Sequence, residues 1–178
     1  MQLTPVMERY VLHWGEMGAR WGINRSVAQV HALLYLSPNP ITAEEISETL
    51  ALARSNVSTS LKELQGWGLV RLTHVFGDRR DHFLALTDTW EILLVITEQR
   101  KHREIDPTLA MLRGCVESER AEPVTDPRIM ARIENMLRFI EALNTWYDQV
   151  KRLPNATLAA LLKMGAKVAR FVGKSKAR

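Results

Sequence analysis

Only three residues, 51–53, separate two helical patterns near the middle of the chain, and that short joint constrains the fold more than any other feature. The first pattern is "ITAEEISETL". Thr42 and Glu45 have capping-box spacing, so the Thr42 hydroxyl can accept from the Glu45 backbone N–H while the Glu45 carboxylate reaches back. Ile46 and Leu50 then face inwards. The second pattern is "RSNVSTSLKELQGWG", in which Val57, Leu61 and Leu64 form one apolar stripe at i, i+4 and i+7. Ser55, Ser58, Thr59 and Lys62 fall on the other side. Gly66 and Gly68 end the helix.

"LVRLTHVF" and "HFLAL" follow, rich in β-branched residues and partly alternating, with "GDRRD" between them. This predicts two antiparallel strands joined by a short loop. Helix, tight turn, helix and hairpin make a winged helix-turn-helix, and its chemistry suits DNA. A recognition helix enters the major groove where short polar side chains let the backbone come close. Arg54, Ser55, Asn56, Ser58 and Thr59 are the candidates for that contact, and Lys62, a turn further on, can reach a phosphate. Arg79 and Arg80 stand at the hairpin tip, placed to meet the flanking backbone or the minor groove. The bland alternatives are a solvated hairpin tip and an ordinary polar helix face. A winged helix can also serve as a protein-interaction module without specific DNA binding. That use predicts an acidic or apolar recognition face and a blunt wing, unlike Lys62 with Arg79 and Arg80.

The remainder is mostly helical. A first helix is expected over residues 4–21, with Pro5 in its first turn. Tyr10, Trp14, Met17 and Trp21 share one face, and Gly15, Gly18 and Gly22 weaken the helix while permitting close approach by a neighbour. Residues 25–36 form a second helix, stopped by Pro38 and Pro40. Thr87 or Asp88 caps a long helix, with Asp88 and Glu91 at capping-box spacing. Its "WEILLVI" run is apolar almost all round, which predicts burial on more than one side, and Pro107 should break or kink it. Residues 117–127 read as a linker. Asp126 and Pro127 open another helix, on which Ile133, Met136, Leu137, Ile140, Leu143, Tyr147 and Val150 make a seam suited to a partner helix. Pro154 precedes a last helix and the basic tail "GKSKAR". The expected organisation is an N-terminal helix (1–23), a winged unit (24–87) and a helical region (88–178). The fold class is mainly α, with a two-stranded β wing and long terminal helices.

The net charge of +4 and the pI of about 9.5 favour a polyanionic partner only weakly. The single cysteine, Cys115, cannot form an internal disulfide, which points to a reducing cytoplasm. It lies in the apolar run "LAMLRGCV", where an inert buried thiol is expected rather than a redox sensor. The N-terminus lacks the apolar stretch of a signal peptide, and no run is long enough to span a membrane. The five histidines show no metal-ligand spacing, and no P-loop, HExxH or G-x-S-x-G appears. Neither an enzyme, a metal site nor a cofactor is expected.

"GDRRDHFLALT" fits the D-x-R-x5-L-T wing signature of MarR-type regulators, with Asp78, Arg80, Leu86 and Thr87 in place. "SNVSTSLKELQGWGLV" resembles that superfamily's recognition helix and its exit into the wing. "GARWGINRSVAQVHALLYLSPNPITAEEI" and "WEI…RKHREIDP" are more similar to its GbsR-like branch. The resemblance covers residues 18–107 well and the C-terminal third in outline. It implies a homodimeric regulator, in the repressor mould, that binds double-stranded DNA at a palindromic operator. Terminal helices would make the dimer, and a small effector would sit between them and the DNA-reading unit. It also implies that Asp78 orients the wing arginine. Ala53 departs from the Ser or Thr that often caps such a recognition helix, leaving Ser55 or Asn56 as local substitutes. Choline-like effectors of the GbsR-like branch suggest a quaternary ammonium or other organic ligand held by aromatic faces. Trp14, Trp21 and Trp90 are the candidates, with Trp146 a further source. The more ordinary role for these aromatics is core or dimer interface.

Overall fold

The computed structural model describes residues 1–168, so the "GKSKAR" tail lies outside the described residues. The chain divides into two compact units, Met1–Gln99 and a second that begins at Arg100.

In the first unit, α1 (Pro5–Arg20) starts at Thr4, whose hydroxyl accepts from the Met7 N–H. Gly15 and Gly18 are buried on it. A Cβ on Gly18 would lie 2.5 Å from the Ala28 Cβ, so this glycine sets how closely α1 meets α2 (Arg25–Leu36). α2 is the centre of the core. Val30, Leu33 and Leu34 are at most 1% exposed.

The tight joint is present. α3 (Ala43–Leu50) begins with the full capping box: the Thr42 N–H donates to Glu45 Oε2 (2.7 Å) and the Glu45 N–H to Thr42 Oγ1 (3.2 Å). Ala51 takes a left-handed conformation (φ 50°), and the Ser47 hydroxyl donates to the Leu52 carbonyl (2.7 Å), which fixes the turn. α4 (Arg54–Trp67) follows and ends at Gly68, whose φ of 79° favours glycine. Ile46 of α3 and Val57, Leu61 and Leu64 of α4 join the core with α2.

β2 (Val70–Thr73) and β3 (His82–Ala85) pair antiparallel, Val70 opposite Ala85 and Thr73 opposite His82. The expected two-stranded wing is part of a three-stranded sheet with β3 at its centre. The extra strand, β1, is only Ile41–Thr42, pairing with Phe83 and His82. It carries no alternation to read, and Thr42 is also the α3 N-cap.

α5 (Thr89–Arg100) is capped by Asp88, whose Oδ1 accepts from the N–H groups of Trp90 and Glu91. Burial on more than one side is not found among the described residues. Ile92 is its buried residue, whereas Leu93 is 51% exposed.

In the second unit, a π-helical turn, Lys101–Ile105, precedes α6 (Asp106–Ala121). The helical path continues where Pro107 predicts a break or kink. Proline has no N–H and its ring crowds the carbonyl four residues back. The turn widens to i→i+5 bonding, seen in the Asp106 N–H donating to the Lys101 carbonyl. α6 also extends to Ala121, so the first five residues of the expected linker are helical. α7 (Pro127–Val150) starts at the Asp126 cap, and α8 (Asn155–Met164) follows Pro154. Leu109, Leu112 and Val116 of α6 are buried, and Arg113 pairs with Glu141 of α7 (2.8 Å). Cys115 is exposed rather than buried: it shares its helix with that apolar row but not its face. Among the described residues no helix is long and apolar enough to cross a membrane.

Candidate nucleic-acid interface

The two faces of α4 differ as the spacing predicts. Val57, Ser60, Leu61 and Leu64 are buried, while Arg54, Ser55, Asn56, Ser58, Thr59 and Lys62 are exposed. Ala53 is the N-cap in extended conformation, with no side-chain cap hydrogen bond. Ser55 and Asn56 do not replace it. Arg54 turns back to form an ion pair with Glu44 of α3. That pairing neutralises an acid which would otherwise oppose a polyanion on this face.

The wing tip is ordered by Asp78. Its carboxylate accepts from the Arg80 N–H (3.0 Å), Nε (3.0 Å) and Nη2 (2.5 Å). The guanidinium holds the Asp78 carboxyl well below the usual carboxylate range, so the pair stays charged in mildly acid solution. His82 lies behind the tip and is buried; its Nδ1–H donates to the Arg80 carbonyl (2.9 Å). Arg79 is exposed next to this assembly and is not part of the Asp78 clasp.

Recognition helix and wing border one groove. Ser58, Lys62 and Gln65 of α4 line it with Leu72 and Phe83 of the sheet and Arg80 of the hairpin loop, around roughly 490 Å³ of open space. The structure thus brings Ser58, Lys62 and Arg80 onto one concavity. Ser55, Asn56 and Thr59 lie on the exposed face of α4 but outside the lining, as does Arg79.

A second feature lies behind α4. A cavity of about 170 Å³ is walled by Trp14 and Met17 of α1, Trp21 at its C-cap, His31 of α2, and Leu64 and Trp67 of α4. Trp14 and Trp21 therefore meet at one space. Trp90 does not line it: on α5 the residue that reaches the wall is Ile96. Trp146 is 60% exposed on α7, in the other unit. Tyr10 stacks on Trp14 with ring centroids 5.5 Å apart. His31 is 4% exposed and its Nε2 has no hydrogen-bond partner among the described residues. Burial pushes its pKa down to about 4, so the ring is neutral at neutral pH.

Sequence reasoning missed Trp67, His31 and Phe76. Trp67 ends an otherwise polar turn, and His31 gave no spacing signal. Phe76, in the wing loop, is fully exposed, which no local pattern announces.

The MarR family model matches residues 16–81, a span running from α1 through the Asp78–Arg80 clasp. The HTH-type transcriptional repressor GbsR of Bacillus subtilis is 24% identical over 136 residues, covering 75% of each chain. A crystal structure of a transcriptional regulator superposes with a TM-score of 0.63 at 18% identity, over 83% of this chain and 96% of that one, a likeness of fold. Over residues 16–81 the chain is therefore similar to the MarR family, and over three quarters of its length it is similar to a transcriptional repressor.

Proposed function

We propose that the chain represses transcription as a homodimer, docking α4 of each protomer into successive major grooves of a palindromic operator. Lys62 contacts phosphate, Ser55, Asn56, Ser58 and Thr59 face the base edges, and Arg79 and Arg80 reach the flanking DNA with Asp78 as the orienting group. The observation that carries this reading is the single groove shared by Ser58, Lys62 and Arg80, with the arginine pre-aimed by its carboxylate partner. A guanidinium already held in place loses little freedom on binding. The relative GbsR is by name a repressor, which favours that sign of regulation.

Dimerisation is supported by apolar surface that one chain leaves open. Ile129, Met136, Phe139, Leu143 and Trp146 are all exposed along α7. Such a stripe at helical spacing suits a second copy of the same helix. The two half-sites are then expected about one helical turn apart, roughly 34–36 Å. The protein works in the cytoplasm, where DNA is met.

A small organic effector, such as a quaternary ammonium compound, enters the cavity walled by Trp14, Trp21 and Trp67. Aromatic faces attract a desolvated cation, and a neutral His31 does not repel one. Leu64 and Trp67 belong to α4, so occupancy bears directly on the recognition helix. A coupling of about 1–3 kcal/mol between ligand and DNA suffices for a switch.

The test is selection of bound duplexes from a random-sequence pool by the full-length protein. An enriched inverted repeat, bound less tightly when choline is added and in Lys62→Ala, is the expected result. A pool with no enriched sequence after several rounds sinks the reading.

A further inference from the structure

We propose that Phe76 is an apolar wedge which the wing inserts between two stacked base pairs of the bound duplex. This rests on the DNA-binding reading above and adds a mode of sequence recognition to it. The Asp78 N–H donates to the Val75 carbonyl (3.1 Å), closing a four-residue turn. Gly77, with φ of 83°, occupies the third position, as a type II turn requires. Phe76 is therefore the leading residue at the apex.

Its exposure is complete, at 106%, whereas its apolar neighbours Val75 and Leu72 stand at 38% and 40%. Among the described residues, none covers the apolar surface of the ring. Asp78 closes the turn with its N–H and clasps Arg80 with its carboxylate, so one residue fixes both the apex and the guanidinium behind it. An apolar ring ahead of a basic side chain on a rigid loop is what minor-groove unstacking needs. The cation holds the loop at the phosphates while the ring fills the opened step. Pyrimidine–purine steps unstack most easily. Phe76 therefore favours operators with such a step under each wing, at positions where no hydrogen bond reads a base.

The experiment uses the duplex selected by the wild-type chain, with 2-aminopurine placed at successive steps outside the α4 footprint. Wild-type protein and Phe76→Leu are expected to raise its fluorescence at one step per half-site. Phe76→Ala should abolish the rise and weaken binding roughly tenfold, the scale of one lost aromatic–base contact. Because Phe76 packs against none of the described residues, the thermal midpoint of Phe76→Ala should match wild type. If Arg80→Ala weakens binding while Phe76→Ala binds like wild type with no fluorescent step, the wedge is refuted and the DNA reading stands. If the wild-type chain selects no duplex, both fall together. A shift of Phe76→Ala from dimer to monomer in sedimentation assigns the ring to a protein interface and overturns the proposal.

Discussion

At the scale of single residues, two side chains show how burial and pairing decide chemistry. Asp78 is near the surface, and its charge is stabilised by three donors from one arginine. His31 is the opposite: buried, unpartnered and held neutral. Its folded pKa of about 4 lies below the ordinary 6.5, so between those values the unfolded chain binds a proton that the native chain does not. Stability therefore falls as pH drops through that window and levels off below it. From neutral pH to about pH 5 the loss is about 2 kcal/mol. Denaturant melts of wild type and His31→Leu at both pH values check this. The wild type should lose the larger share, and equal losses would remove His31 as the cause. The environment of His31 could not be read from its sequence neighbours. Asp78 and Arg80 were legible through the wing signature, but His31 and Phe76 owe their state to packing, or its absence, around them.

At the scale of elements, local rules carried most of the winged unit. The Thr42–Glu45 box, the Asp88 and Asp126 caps, and the stops at Pro38 and Gly68 all act within a few residues, so the chain announces them. What escaped was decided elsewhere. β1 exists because β3 offers it an edge, and its two residues have no period of their own. The π-helical turn before Pro107 is a compromise between a helix-breaking residue and helix-forming flanks. Exposure of Cys115 and Leu93 reflects which helix face finds a neighbour. Glycine spacing on α1 did signal close approach, and the structure separates its two cases. A Cβ on Gly18 meets the Ala28 Cβ at 2.5 Å, a short side chain that cannot swing away. A Cβ on Gly15 meets the Gln29 Cγ at 2.6 Å, part of a flexible side chain. Alanine gains about 1 kcal/mol over glycine inside a helix, while overpacking costs about 1–3 kcal/mol. Gly18→Ala should therefore destabilise by up to about 2 kcal/mol, and Gly15→Ala should be neutral or mildly stabilising. Equal effects in urea melts would show that the α1–α2 approach is not set by Gly18.

At the scale of the whole molecule, the open apolar surface on α7 and the DNA face of α4 belong to one argument. Two weakly binding winged units become a tight binder when linked, by about 10²–10⁴-fold, provided both can engage together. Phe139 and Leu143 are 60% and 47% exposed, so glutamate at both positions leaves the fold of the single chain intact. Phe139→Glu/Leu143→Glu should sediment as a monomer and bind the selected operator at least about a hundredfold more weakly. A dimeric double variant would move the interface elsewhere. The central claim, that α4 and the wing together grip DNA, is tested most directly by the salt dependence of binding. Affinity for the selected operator should fall steeply with ionic strength, because phosphate contacts release counterions. In Arg80→Ala the slope should be shallower by about one unit per protomer, with weaker binding at every salt concentration. Salt-insensitive binding, or an Arg80→Ala line that overlays wild type, would contradict the account.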